Sequence, residues 1–193
     1  EVAAELEYYM KRNGSQKPSF DTICVSGTAS SRPHGVPRNI RLESGFLTMD
    51  YGAMVNGYHS DMTRTIVIGK ADEDMKKLYN TVLKAQLAAI DAITEGPKNA
   101  VMDKVARDVI DNAGYKGYFS HSLGHGVGLE IHEQPGLHAR MGDATLKAGQ
   151  IVTAEPGIYI EGKYGCRIED MILVTKGGKR DLTDCPKELI EVC

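Results

Sequence analysis

The sequence has no pair of cysteines at CxxC spacing and nothing like a zinc ribbon. Its four cysteines, Cys24, Cys166, Cys185 and Cys193, are scattered through 193 residues. In a chain of this length that argues against a disulfide framework and for reduced thiols in a cytosolic protein. No apolar run approaches the ~20 residues needed to span a bilayer, and the start lacks a signal-peptide pattern. Neither sign of charge dominates: the net charge of -3 gives no general pull toward nucleic acid or an anionic membrane. Low-complexity tracts, inter-domain linkers and a clear internal repeat are also missing. So is an initiator Met. The opening EVAAELEYYM already reads as helix, with Val2, Leu6, Tyr9 and Asn13 on one face and Gly14 as its stop. The expectation is a single domain over 1–193, excised from a longer chain whose N-terminal part has been removed.

What is present suits one globular domain with a sizeable core: 41% of residues are hydrophobic and 25% charged. FDTICVSG (20–27) reads as a strand, followed by the Ser- and Pro-rich loop TASSRPHGVPRN. Two apolar runs, GFLTMDYGAMV and YHSDMTRTIVI, meet at Asn56-Gly57. That dipeptide between strand patterns predicts a hairpin with a type I′ turn. Over 73–95, Met75, Leu78, Val82, Ala85, Ala89 and Ile93 recur at helical spacing, and Gly96-Pro97 ends the pattern. A second helix runs from about Ala100 to Ala113, stopped by Gly114. Strand patterns then return in YFSHSLGHGVGLEIHE, QIVTAEPGIYI and CRIEDMILVT. The order helix, strands, helices, strands is α+β. An acidic strand hairpin in each half hints at pseudo-symmetry.

The first chemical constellation is Asp50 with Asp61. With a two-residue turn, Val55 faces Tyr58 and Asp50 faces Thr63. Asp61, two residues from Thr63, then shares Asp50's face as a diagonal neighbour at roughly 7–8 Å between backbones. Asp is a poor strand former, and two converging carboxylates repel until one protonates or a cation binds. The alternative is that each caps a turn or pairs with a base such as Arg64.

The second constellation is His125 with Glu155 and Glu169. His121, His125 and His132 fall within twelve residues. Gly124, Gly126 and Gly128 make a helix there implausible, so an extended or looped backbone is expected, the glycines admitting a ligand closely. Glu155 and Glu169 lie in apolar strand patterns, where an unpaired carboxylate is costly. An ion pair between Glu169 and Arg167 is the plain alternative. Four carboxylates and one imidazole form a hard, oxygen-rich set that suits two Mn, Co or Zn ions.

The strings PHGVP, MDYGAMVNGYHSDMTRT, SHSLGHGVGLEIHEQPGL, TAEPGIY and GCRIEDMILVT, in this order, resemble the pita-bread metallopeptidases. Within these, they are most similar to the Xaa-Pro branch, that is, Xaa-Pro dipeptidase (prolidase) and aminopeptidase P. The resemblance covers nearly the whole chain. It implies a catalytic domain in which a pseudo-twofold antiparallel sheet carries helices on its outer face. It implies two divalent ions, manganese favoured, bridged by Asp61 and Glu169, with Asp50 completing one shell and His125 and Glu155 the other. It further implies that Glu155 shuttles a proton, that His132 stabilises the tetrahedral intermediate, and that His34 and His121 contact substrate. Arg167 would orient the site and Arg140 would meet a dipeptide's C-terminal carboxylate. The implied substrate is a short peptide cleaved at its N-terminus, at an Xaa-Pro bond. The full-length protein would be a homodimer with a separate N-terminal domain. Methionine aminopeptidase is the rival enzyme; a non-catalytic pita-bread binding module is the rival of another class.

Overall fold

The computed structural model describes residues 1–192. Helix α1 (Val2–Arg12) leads to strands β1 (Lys17–Pro18) and β2 (Ile23–Ser26) and a 3-10 turn (Gly27–Ser31). Strands β3 (Gly45–Tyr51), β4 (Ala53–Val55), β5 (Tyr58–His59) and β6 (Met62–Ile68) follow. Then come helices α2 (Glu73–Ala92) and α3 (Asn99–Ile110), strands β7 (Gly124–Gly126), β8 (Glu133–Leu137), β9 (Ile151–Ala154) and β10 (Gly157–Ile160). Strands β11 (Tyr164–Arg167), β12 (Asp170–Thr175), β13 (Gly178–Asp181) and β14 (Glu191–Val192) complete the chain. Among the described residues no helix is long and apolar enough to cross a membrane. Cys24, Cys166 and Cys185 are free thiols; Cys193 lies outside the described residues.

The strands form a four-stranded sheet, β14–β6–β3–β2, and a five-stranded sheet, β13–β12–β9–β7–β8, with smaller ladders β10–β11 and β1–β4–β5. Pairing is antiparallel except for β14 on β6. The halves meet where Glu169 N–H donates to Thr63 O (3.1 Å) and Arg167 N–H to Thr65 Oγ1 (3.2 Å).

The Asn56-Gly57 turn sets the register of the first half. Both residues have positive φ, 52° and 81°, as a type I′ turn requires. Val55 faces Tyr58 and Asp50 faces Thr63, as the two-residue turn predicts. On one face of β3–β6 the pairs run Phe46–Val67, Thr48–Thr65, Asp50–Thr63. That face passes from apolar core, through hydroxyls, to a carboxylate.

Helix α2 begins at Asp72, whose side chain accepts from Met75 N–H at 2.7 Å, while Glu73 and Asp74 suit the positive helix end. The six apolar positions picked out by helical spacing, Met75 to Ile93, are all buried. They join Phe46, Val67, Ile158 and Ile172 in one core with Met102, Ala106 and Ile110 of α3. Each fully buried Leu or Ile there contributes about 1.5–3 kcal/mol. Helix α2 packs on β9, β10 and β11, and α3 on β8. The second helix ends as α-helix at Ile110 and finishes in a π turn (Asp111–Tyr115), where Gly114 takes φ 94°. The long strand expected over 118–133 is mostly loop; only Gly124–Gly126 and Glu133–Leu137 pair.

Candidate metal centre

Asp50 sits inside β3, but Asp61 lies in a gap between β5 and β6. At this gap the two chains run very close: a Cβ at Gly52 would meet Ser60 O at 1.8 Å, while Ser60 N–H still donates to Ala53 O at 2.9 Å. Asp61 is free to turn its carboxylate inward, and its N–H points to Met171 Sδ at 3.1 Å. Glu155 and Glu169 occupy the same kind of position. The strand expected through Glu155 breaks between β9 and β10, and the one through Glu169 breaks between β11 and β12. Pro156, which has no N–H, lies in the first break beside Glu155.

His125 is in β7, extended as expected. The glycines around it have a different use from the one expected. A Cβ at Gly124 would fall 2.0 Å from Thr153 O, and one at Gly126 2.7 Å from Glu133 O. They admit neighbouring backbone rather than a ligand. Helix α3 fixes the approach to this strand: Asp103 accepts from Leu123 N–H (3.0 Å), and Arg107 donates to Phe119 O and His121 O. Glu155 N–H donates to Leu123 O at 2.8 Å, locking the carboxylate strand to the histidine strand.

These elements bring the five side chains together. Ligand atoms of Asp61, His125 and Glu169 lie within 4.8 Å of one another. His125 Nε2 is 3.5 Å from Asp61 Oδ2 and 3.4 Å from Glu155 Oε1. Its Nδ1 lies 3.0 Å from Gly126 O; that contact assigns the proton to Nδ1 and leaves the Nε2 lone pair facing the carboxylates. Thr63 donates to Glu169 Oε2 at 2.6 Å. Asp50 Oδ2 is 2.5 Å from Arg167 Nη2, while Asp50 Oδ1 is buried with no hydrogen-bond partner among the described residues. Such an orphaned acceptor is expensive unless a cation takes its lone pair.

Neither of the two alternative ion pairs weighed above forms among the described residues. Arg167 pairs with Asp50 rather than Glu169, and spends its other donors on Thr63 Oγ1, Tyr159 OH and Pro33 O. Arg64, the base offered as an alternative partner for the aspartates, pairs with Asp170 at 2.7 Å.

The electrostatics follow from four carboxylates facing one guanidinium. Burial first, then Asp50 and Glu155, drive the Asp61 carboxyl well above its ordinary range. Burial, then Asp61 and Glu155, do the same to Glu169. Glu155 is raised to about 8, chiefly by burial, with Arg167 opposing. Burial lowers His125 to about 4 and His121 to about 3, so both rings are neutral. A hard dication would remove this strain at once.

The group lines a cavity of about 240 Å³. His34, His121 and His132 share its walls, as do Phe20, Ile23 and Ile131. His132 is exposed, its ring centroid 4.2 Å from that of His125. Arg140 is not brought to the cavity; it lies exposed on a 3-10 turn (Ala139–Met141). Sequence reasoning missed the apolar wall and Tyr159, whose hydroxyl is 2.8 Å from both Arg167 Nη1 and His121 Nε2. Strand alternation from Asp61 would have found Thr63; nothing in the pattern marks Tyr159.

Residues 1–176 match the family model for metallopeptidase family M24. The Xaa-Pro dipeptidase of Pyrococcus furiosus is 49% identical over 191 residues, 98% of this chain and 55% of that protein. A solved Xaa-Pro dipeptidase from Bacillus anthracis superposes with TM-score 0.96 at 48% identity, over 99% of this chain and 54% of that one. The X-Pro aminopeptidase structure from Thermotoga maritima gives 0.95 at 40% identity, over 99% and 54%. The chain thus spans about half the length of the relatives it matches, and the likeness bears out the pita-bread fold. On the family model and these identities, the chain belongs to metallopeptidase family M24.

Proposed function

We propose that this domain hydrolyses the first peptide bond of dipeptides or short peptides, preferring Xaa-Pro bonds, with two divalent cations held by Asp50, Asp61, His125, Glu155 and Glu169. The observation that carries this reading is the charge imbalance of a buried cluster: four carboxylates converge on one cavity against the single guanidinium of Arg167. Protonation or cations must resolve it. The orphaned Oδ1 of Asp50 and the lone pair of His125 Nε2 favour cations. The all-oxygen-and-imidazole donor set fits manganese, cobalt or zinc, and the resemblance favours manganese. The names of the relatives support Xaa-Pro bonds over methionine release.

When bound, such ions polarise the scissile carbonyl and activate water near neutral pH. The chain's own residues supply the rest. Glu155, a carboxylate on the cavity wall, can take a proton from water and pass it to the leaving nitrogen. His132, exposed on the cavity wall, donates to the developing oxyanion. His34 and His121 contact the substrate backbone. Phe20, Ile23 and Ile131 give an apolar wall for a proline ring, whose nitrogen has no N–H to recognise. Arg167 holds Asp50 in place; Arg140, away from the cavity, has no role in this proposal. An N-terminal domain and homodimeric assembly belong to the same reading, supported by the resemblance alone; a cytoplasmic setting is supported by the free thiols of Cys24, Cys166 and Cys185.

The test is a substrate panel of Ala-Pro, Ala-Pro-Ala and Met-Ala-Ser with defined metals. Cleavage of the Xaa-Pro bonds is expected. Release of Met from Met-Ala-Ser with Ala-Pro left intact would overturn the substrate assignment.

A further inference from the structure

We propose that Arg64 is a positioning residue for this centre, holding Glu169 from behind the sheet and tying the 185–187 segment into its support. The inference rests on the metal reading above. Arg64 is 5% exposed and follows Thr63 in β6, so its side chain leaves the opposite face of the strand. All five of its N–H groups are used. Nη1 donates to Thr63 O (2.9 Å) and Glu169 O (2.7 Å); Nη2 donates to Asp170 Oδ1 (2.7 Å) and Cys185 O (2.9 Å); Nε donates to Pro186 O (2.9 Å).

Two consecutive pairs thus meet twice. On the cavity side, the Thr63 hydroxyl holds the Glu169 carboxylate. On the rear side, Arg64 holds Asp170 and the Glu169 carbonyl. Glu169 sits in the break between β11 and β12, outside the sheet ladders. Arg64 supplies a donor for its carbonyl there, and a buried carbonyl needs one. Asp170 is fully buried and also accepts from Gln86 (2.6 Å) and Lys187. It matches the Arg64 charge on the rear side. Arg64 therefore acts on the centre through the position of Glu169. Lysine has three donors without the planar fork and cannot make five such bonds.

The test titrates wild type, Arg64→Lys, Asp170→Asn and Ile110→Val with Co²⁺ alone, by calorimetry and by the visible absorption of the bound ion. Arg64→Lys and Asp170→Asn are expected to lose about tenfold or more in affinity, the usual cost of removing an outer-shell partner, and to change the spectrum. Ile110→Val loosens the core away from this cluster and is expected to bind like wild type. The isosteric Asp170→Asn gives the readout where Arg64→Lys does not fold. Wild-type affinity and spectrum in both variants would overturn the inference alone. So would an equal loss in Ile110→Val, since affinity would then follow stability. No Co²⁺ uptake by wild type would overturn the metal reading, and this inference with it.

Discussion

Raising the pH of the metal-free protein from 6.5 to 8 should destabilise it. Glu155 is held protonated up to about 8 in the folded state against an ordinary 4.5. Between those values the unfolded chain has released a proton that the folded chain retains. Its contribution to stability is therefore complete below 4.5 and is lost as pH rises to about 8. His121 and His125 act with the opposite sign, since their folded values are lowered to about 3 and about 4 from an ordinary 6.5. In the unfolded chain they are half-protonated at pH 6.5 and lose that proton by roughly 7.5, so each offsets about 0.4 kcal/mol within the window. The buried Cys166 thiol, pushed to about 12 from 9.0, enters only above the chosen window. Across the window, which ends at its own midpoint, Glu155 costs about 1.6 kcal/mol, and the net loss after the two histidines is about 1 kcal/mol. For a domain of this size that lowers Tm by roughly 2–4 °C; Asp61 and Glu169 are raised in the same direction by burial and their neighbouring carboxylates. Scanning calorimetry of chelator-treated protein at pH 6.5, 7.25 and 8 reads the effect. Excess Mn²⁺ should widen the gap between loaded and metal-free Tm as pH rises. A metal-free Tm that stays flat or climbs over this window would refute the electrostatic reasoning.

Asp61→Asn should abolish hydrolysis while leaving circular dichroism and cooperative melting largely intact; wild-type turnover would remove Asp61 from the bridging position. Thr63→Val deletes the hydroxyl between Arg167 Nε (3.0 Å) and Glu169 Oε2 (2.6 Å). Denaturant titration should show a loss of about 1–3 kcal/mol, and an unchanged midpoint would contradict that bridge. Gly124→Ala forces a Cβ against the Thr153 carbonyl and should cost about 3 kcal/mol or more, with His125 displaced and cation uptake reduced. Native stability and uptake in that variant would show that β7 and β9 do not meet so closely.

The parts of this molecule that obey local rules were readable from sequence. Asn56-Gly57 specifies its turn through backbone conformation alone, and the pairing of Asp50 with Thr63 follows by counting. The apolar stripe of α2 is read as directly, because burial repeats with the helical period. The breaks at Asp61 and Glu169 were not readable, since each interrupts an apolar run that otherwise looks like continuous strand; at Glu155 only Pro156 marks the break. Close approach of a neighbouring chain, as at Gly52, is a tertiary feature that an apolar run does not report. The partners of Arg64 and Arg167 were hidden for the same reason. Arg167 and Glu169 are two residues apart, yet the strand ends between them and the guanidinium reaches Asp50 of the other half. Phe20 and Ile23 reach the cavity from the segment that enters β2, a long-range placement that no periodicity reports.

Calorimetric titration of the chelator-treated protein with Mn²⁺ at pH 7.5 tests the central claim most directly. The account predicts two ions per chain, with protons released as the raised carboxylates ionise around them. Failure to bind any ion, or binding with no proton release, would contradict it.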